Sequence, residues 1–430
     1  MRVQVDNPLS SPSVGIQEGA KNERSILGLF IVGITLAAAS GQFDRFGVSS
    51  QIWLLIYASF VYLFAVNYAN VKVALKESWF LLLLPSLVIA SALWSEDQAR
   101  TLVAAVQYFF TACIGIWIGA NVKPRELFVV MLLATVVGVL LSLVAAYLYD
   151  FVNAYQMADF DGAERYLVGI YAQKNVFGKT LFLLTLSLLV LSFGSRWLLL
   201  VYPVTGLLLI PLLEVKSASS LICYLIILSL PLFWLAMRNK KIGFTLIFSL
   251  WIVFLAGLFA AVFADIDLVD QFLGGLGKDS TLTGRTYLWS VAIQSMDQHP
   301  VLGMGFEAFW QPDVYDSTKL LRNAEGNIIT GFHNVFLETV VATGLLGGFF
   351  LMLIFLVSLY RCSLWFYKTQ SAESLGSLYF VVVTLLLGFF DNVVFAQHEL
   401  FHIILIALCV MSYKQIHRSR NNNNNNKESQ

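Results

Sequence analysis

Charge is what this sequence has least of. Only 13% of its 430 residues are Asp, Glu, Lys or Arg, where a soluble domain carries about 25%. Most of the surface therefore does not face water. Acidic and basic residues balance to a formal net charge of zero, so no bulk attraction to nucleic acid is implied. Cysteine is scarce as well. Cys113, Cys223, Cys362 and Cys409 each lie in or beside an apolar run, with no CxxC among them. That excludes a disulfide framework and a zinc site and leaves four small buried hydrophobes. No internal repeat is evident. No small-residue cleavage site precedes the first apolar run, so residues 1–24 are expected to be a cytoplasmic tail and not a signal peptide.

Hydrophobic residues make up 58% of the chain. They fall into runs at about 25–40, 52–68, 78–93, 102–120, 127–149, 176–193, 197–213, 220–237, 243–263, 334–360, 376–395 and 400–413. A spanning helix needs roughly 20 apolar residues, and backbone polar groups in hydrocarbon must be satisfied internally. The pattern predicts an all-α integral membrane protein with about 12 transmembrane helices. Lys and Arg set the orientation. With the N-terminus inside, one set of loops holds Lys21, Lys72, Lys76, Lys123, Arg125, Arg196, Arg238, Lys240, Lys241, Arg361, Lys368, Lys414, Arg418 and Arg420. The opposite short loops hold only Arg45, Arg100, Arg165, Lys174, Lys179 and Lys216. Both termini are thus expected on the cytoplasmic side. The Asn421–Asn426 tract and the four residues after it are low in complexity and cannot bury a core.

The longest outer segment is expected to contain short helices. Leu288, Val291, Ala292 and Met296 recur at helical spacing after Gly284-Arg285, and His299-Pro300 would end that helix. Val301 to Phe306 is too glycine-rich for a helix and reads as a dip back to the membrane surface.

The few outer cations invite attention. Any one of Lys174, Lys179, Lys216 and Arg285 is explained as an interfacial anchor. Together they can neutralise a pyrophosphate, which Arg grips bidentately and Lys as a point charge. His333 stands just before the tenth span. An imidazole there can accept a proton from a hydroxyl, or it can simply cap the helix. Glu338 stands five residues on, out of ideal helical register. The other histidines show no metal-ligand spacing. The DxD pairs Asp159/Asp161 and Asp265/Asp267 are too short a pattern to imply a metal. Asp391 and Asn392 interrupt the eleventh span. An intramembrane carboxylate is functional by default, with pairing to a neighbouring helix as the quieter reading.

Gly284-Arg285 through Trp289, then His299-Pro300-Val301-Leu302-Gly303-Met304-Gly305, His333-Asn334, Leu337-Glu338 and Thr343-Gly344-Leu345-Leu346-Gly347 form an ordered set. Ser91-Ala92-Leu93-Trp94-Ser95 and Lys174-Asn175-Val176-Phe177-Gly178 extend it towards the N-terminus. The set resembles the bacterial O-antigen ligase and polymerase superfamily, and the last motif is similar to its exopolysaccharide-polymerase branch. The resemblance implies a GT-C-like membrane glycosyltransferase of the inner membrane, inverting and without metal or other cofactor. Its donor would be a glycan on undecaprenyl diphosphate and its acceptor a glycan or lipid. A flippase and a chain-length regulator would be expected beside it. Arg285 would bind the diphosphate with help from Lys174 and Lys216, and His333 would activate the acceptor. Asn175, Asn334 and Glu338 would support them. Lys216 stands where ligases carry an arginine and cannot form the bidentate fork.

On this reading residues 1–24 are a cytoplasmic tail, 25–263 a bundle of about nine spans, 264–333 a large periplasmic loop, 334–413 the C-terminal transmembrane helices and 414–430 a cytoplasmic tail. A polymerase joining repeat units is expected first and a ligase second. A transporter, which would place paired broken helices and charges at mid-membrane, is the reading from another class.

Overall fold

The computed structural model describes residues 12–149, 151–157, 165–236, 245, 249, 285–310 and 331–428. Fifteen helices are described: α1 (Pro12–Ala39), α2 (Ser49–Val66), α3 (Tyr68–Ser78), α4 (Leu83–Ala90), α5 (Gln98–Asn121), α6 (Pro124–Tyr147), α7 (Lys174–Ser192), α8 (Leu198–Leu207), α9 (Leu209–Val215), α10 (Ala218–Leu228), α11 (Leu230–Ala236), α12 (Arg285–Gln298), α13 (Val335–Thr369), α14 (Ala372–Gly388) and α15 (Leu400–Glu428). One two-stranded antiparallel ribbon, β1 (Tyr155–Met157) and β2 (Arg165–Leu167), is the only sheet among the described residues.

The predicted apolar runs inside the described residues are mostly helical, as one helix or as consecutive helical segments. Among the described residues, eight helical stretches are long and apolar enough to cross a membrane, and Ile26–Ala39, Ala218–Leu228 and Ala372–Gly388 are shorter apolar helices. The protein is an all-α integral membrane protein. The run at 243–263 apart from residues 245 and 249, the loop from there to Gly284, and Asp159, Asp161, Asp265 and Asp267 lie outside the described residues.

Sequence chemistry explains the helix boundaries. Asp97 caps α5 by accepting the Arg100 N–H at 3.1 Å. Pro124 opens α6, and Glu126 accepts the Lys123 N–H at 2.9 Å. Ser371 caps α14 through the Ser374 N–H. Within the helices, hydroxyls that would be stranded in hydrocarbon bond to carbonyls one turn back, as Thr111, Thr135, Ser187 and Thr384 do.

The bundle has a centre and a rim. The spanning window of α15 is 78% buried and that of α7 72%, against 22% for α2 and for the α8–α9 stretch. α15 is central because α5 lies directly on it. A Cβ at Gly115 would sit 2.8 Å from the Ile403 carbonyl, and one at Gly119 2.6 Å from that of Ala407. The Gly115-x-x-x-Gly119 spacing thus lets two backbones meet at small residues, the packing mode that works without a hydrophobic drive between helices.

One predicted span is shorter than its apolar pattern. The run at 376–395 leaves the helix at Gly388, and residues 389–399 form a folded turn. Asn392 builds it: its Oδ1 accepts the Phe395 N–H at 3.1 Å and its Nδ2 donates to the Phe395 carbonyl at 2.9 Å. Val393, Val394 and Phe395 stay buried although they are not helical. This turn positions the site.

Candidate active site

Three of the motifs meet at one break in a helix. Gly344 sits inside α13 with φ +67° and ψ −172°, a conformation open essentially to glycine alone. The break leaves α13 carbonyls and amides without helical partners. Segment 300–305 takes them over. Met304 N–H donates to the Val341 carbonyl and Gly305 N–H to that of Ala342, both at 2.9 Å, while Leu345 N–H donates back to Pro300 at 2.8 Å. Gly303 is pressed so close that a Cβ there would overlap the Thr343 nitrogen. The predicted dip of 301–306 is therefore a docking into the broken helix.

The Ser91–Ser95 motif clamps the same segment from the other side. Ser91 Oγ accepts the Phe306 N–H at 3.1 Å, Trp94 Nε1 donates to Leu302 at 3.2 Å, and Thr101 Oγ1 donates to Phe306 at 2.7 Å. The loop helix α12 lies against α13 and anchors the next piece of chain, since Trp289 Nε1 donates to the Phe332 carbonyl at 3.0 Å.

These anchors hold His333. Phe332 is fully buried against Phe309 and Trp310. Its N–H donates to Glu338 Oε1, and Trp310 Nε1 donates to Glu338 Oε2 at 3.2 Å. Glu338 therefore faces the backbone just before His333. His333 has φ +51°, a left-handed conformation uncommon outside glycine. Asn334 caps α13 by accepting the N–H groups of Phe336 and Leu337 at 3.0 and 3.2 Å. Replacing Glu338 with Ala strands two buried donors, each worth about 1–3 kcal/mol. We expect Glu338→Ala to lower the melting temperature in detergent and to cut activity at least tenfold. An unchanged melting temperature would show that Glu338 is not what fixes this backbone.

His333 is 40% exposed, and its Nδ1 lies 3.9 Å from Asp391 Oδ1. That is longer than a direct hydrogen bond and within electrostatic reach; catalytic contacts often tighten only with substrate bound. The other Asp391 oxygen is 3.2 Å from Lys179 Nζ, which also lies 3.6 Å from Glu399 Oε1. Lys179, Asp391 and Glu399 are 11%, 17% and 21% exposed. Burial alone would raise the Asp391 carboxyl, but Lys179 and His333 outweigh it and hold the group below the usual carboxylate range. Burial pushes Glu399 up to about 7, against the pull of Lys179.

The turn is fastened on its other side. His398 stacks on Trp53 at 3.9 Å between ring centroids and meets the Tyr57 hydroxyl through Nε2. Burial lowers it to about 4, so it stays neutral. Beside the turn, a cleft of about 440 Å³ runs along α5 past Arg100, Gln107, Glu307 and Gln397.

The remaining predicted residues are more dispersed. Asn175 Oδ1 accepts from Ser217 Oγ at 3.0 Å and so ties the start of α7 to the cap of α10. Gly178 lets α10 approach, since a Cβ there would overlap Ser220 Oγ. Lys174 lies over the Tyr166 ring at 4.4 Å, and Lys216 ends α9 with φ +51°. Arg285 begins α12, and its side chain lies outside the described residues. The cation that meets Asp391, the carboxylate facing His333, is Lys179, about one and a half turns beyond Lys174. Sequence reasoning counted it among the outer cations that together can neutralise a pyrophosphate and did not pair it with Asp391. It also missed Glu399, whose only signal was a carboxyl at the edge of an apolar run.

The clamped segments lie inside a wider match. The family model described as O-antigen ligase fits residues 85–352. The chain belongs to the O-antigen ligase family. It is also 26% identical over 345 residues to the exopolysaccharide production protein ExoQ of Rhizobium meliloti, across 78% of this chain and 76% of that protein. As an O-antigen ligase family member it is a multi-pass membrane protein of an enzyme group acting on surface glycans. The family match takes in Lys179 and His333 and ends before Asp391 and Glu399.

Proposed function

We propose that the protein polymerises repeat units carried on undecaprenyl diphosphate into exopolysaccharide or O-antigen, at the periplasmic face of the inner membrane. The observation that carries this reading is His333, held in a left-handed conformation with Nδ1 turned to an ionised Asp391, in a chain similar to an exopolysaccharide production protein. Nε2 of His333 takes the proton of an acceptor hydroxyl. The acceptor oxygen attacks the anomeric carbon and inverts it while the sugar–phosphate bond breaks. The bonding pair leaves with undecaprenyl diphosphate. Asp391 stabilises the imidazolium that forms. Arg285 opens the loop helix and grips the leaving diphosphate bidentately, and Lys174 and Lys216 add point charges. No metal is needed for these steps. The family's description favours a second reading, transfer of finished glycan to a lipid acceptor.

The test is to delete the gene, restore it, and profile glycans by size and attachment. Single repeat units where the restored strain makes long chains identify a polymerase. Long chains retained on undecaprenyl diphosphate identify a ligase. Unchanged size and attachment would overturn both. Arg285→Ala should behave as the deletion does, with normal protein levels in the membrane fraction. Wild-type chain lengths in that variant would remove Arg285 from the site.

A further inference from the structure

The cluster around Lys179 holds more acid than His333 requires. Asp391 alone suffices to face the imidazole, yet Glu399 shares the same ammonium from the far end of the 389–399 turn. The two carboxylates approach it from opposite ends of one short turn, and Asn392 fixes that turn. Lys179 comes from α7, the second most buried of the described spans, and its side chain is itself only 11% exposed. The geometry therefore couples the ionisation of Glu399 to the share of Lys179 that Asp391 receives.

We propose that Glu399, acting through Lys179, sets the charge of the His333–Asp391 site and thereby governs how tightly that site holds an anionic diphosphate. The proposal rests on the function proposed above. With Glu399 neutral, Lys179 and Asp391 balance and the cluster has no net charge. With Glu399 ionised, Lys179 is divided between two carboxylates and the cluster carries one net negative charge beside the diphosphate. Glu399 touches neither reacting atom and is a positioning residue in this scheme.

The sign comes from the placement. Burial brings the Glu399 carboxyl into the neutral range. Its ionisation therefore grows as pH rises from mild acid to mild base. Raising the pH adds negative charge and weakens the hold on the anion. The other titratable groups around it are Lys179 from α7, Asp391 and His398 in its own turn, His402 one turn along α15, His333 across Asp391, and Glu338 from α13. His398 is held neutral by burial against Trp53 and Tyr57. His402 is buried on the Tyr108 ring. Because several titratable groups adjoin Glu399, the test needs a variant that removes only Glu399.

The experiment measures binding of undecaprenyl diphosphate to the purified full chain in detergent at pH 6 and pH 8, for wild type, Glu399→Gln and Glu399→Asp. Titration of the ligand is common to all three proteins and cancels in the comparison. One added charge near the anion at an intermediate dielectric should shift affinity about fivefold. We expect wild-type affinity to fall about fivefold more between the two pH values than that of Glu399→Gln, with Glu399→Asp restoring part of the difference. Glu399→Gln keeps the amide size and a hydrogen-bond acceptor for Lys179, so its melting temperature serves as the folding control. Parallel pH profiles in wild type and Glu399→Gln would overturn the proposal and leave the polymerase reading standing. Failure of wild type to bind undecaprenyl diphosphate at either pH would overturn the polymerase reading itself.

Discussion

His333→Ala should lower the rate of glycosidic bond formation by about 10²- to 10⁴-fold, the usual contribution of a positioned proton acceptor. The expectation rests on where the ring is held and not only on its identity. Phe332 is buried on one side of it and Asn334 caps α13 on the other, so backbone position survives loss of the imidazole. Insertion and melting temperature should therefore stay near wild type while product disappears. The assay is a single-turnover measurement with lipid-linked repeat units, alongside membrane fractionation. Asp391→Asn should act more mildly, because an amide still faces Nδ1 but no longer stabilises an imidazolium. A His333→Ala protein that retains full activity would show that the proton goes elsewhere.

Gly344→Ala should have the largest structural effect. At φ +67° and ψ −172° an alanine is strained by about 1–3 kcal/mol. Its Cβ would also overlap the Val301 carbonyl group. Relief requires the 300–305 segment to leave the break, which exposes the α13 backbone that Met304 and Gly305 now satisfy. We expect that segment to become cleavable by protease and activity to fall with it. Gly303→Ala should reproduce the phenotype from the opposite partner. Protease resistance equal to wild type in both variants would contradict the docking of this segment into α13.

The sequence announced the helices and the identity of the segments that matter, but not how those segments meet. Gly303, Gly305 and Gly344 stood out as members of an ordered motif set. That Gly303 presses on the backbone at 342–344 and Gly344 on the backbone of Val301 and Leu302 is a long-range fact that spacing does not encode. The end of the eleventh span was hidden because Val393, Val394 and Phe395 are buried yet not helical. A hydropathy window reads burial and supplies helix by default. Asn392, a side chain apt to fold a turn, was the local clue. Lys179 and Asp391 were both conspicuous as charges beside apolar runs. Their pairing depends on which faces of α7 and the turn confront each other, and this is set by packing across helices far apart in the chain. Glu338 looked out of register with His333 because it serves the Phe332 N–H, one residue earlier, through a backbone contact that side-chain periodicity does not reveal.

The clamp on the 300–305 segment joins residues more than 200 positions apart: Trp94 to Leu302, Thr101 to Phe306 and Ser91 to Phe306 are separated by 208, 205 and 215 residues. Closing such distances is slow, because the chain loses loop entropy before the contacts reward it. During synthesis the Ser91–Thr101 edge is made first and must wait, its hydroxyls and indole without their partners, through the insertion of α6 to α11. Segment 300–305 can dock there before α13 exists, and α13 can then bend at Gly344 around a surface already in place. The order of manufacture thus puts the template before the helix that needs it. A chain stalled between the two would expose the waiting edge, which makes that interval the point at which assembly is most open to quality control.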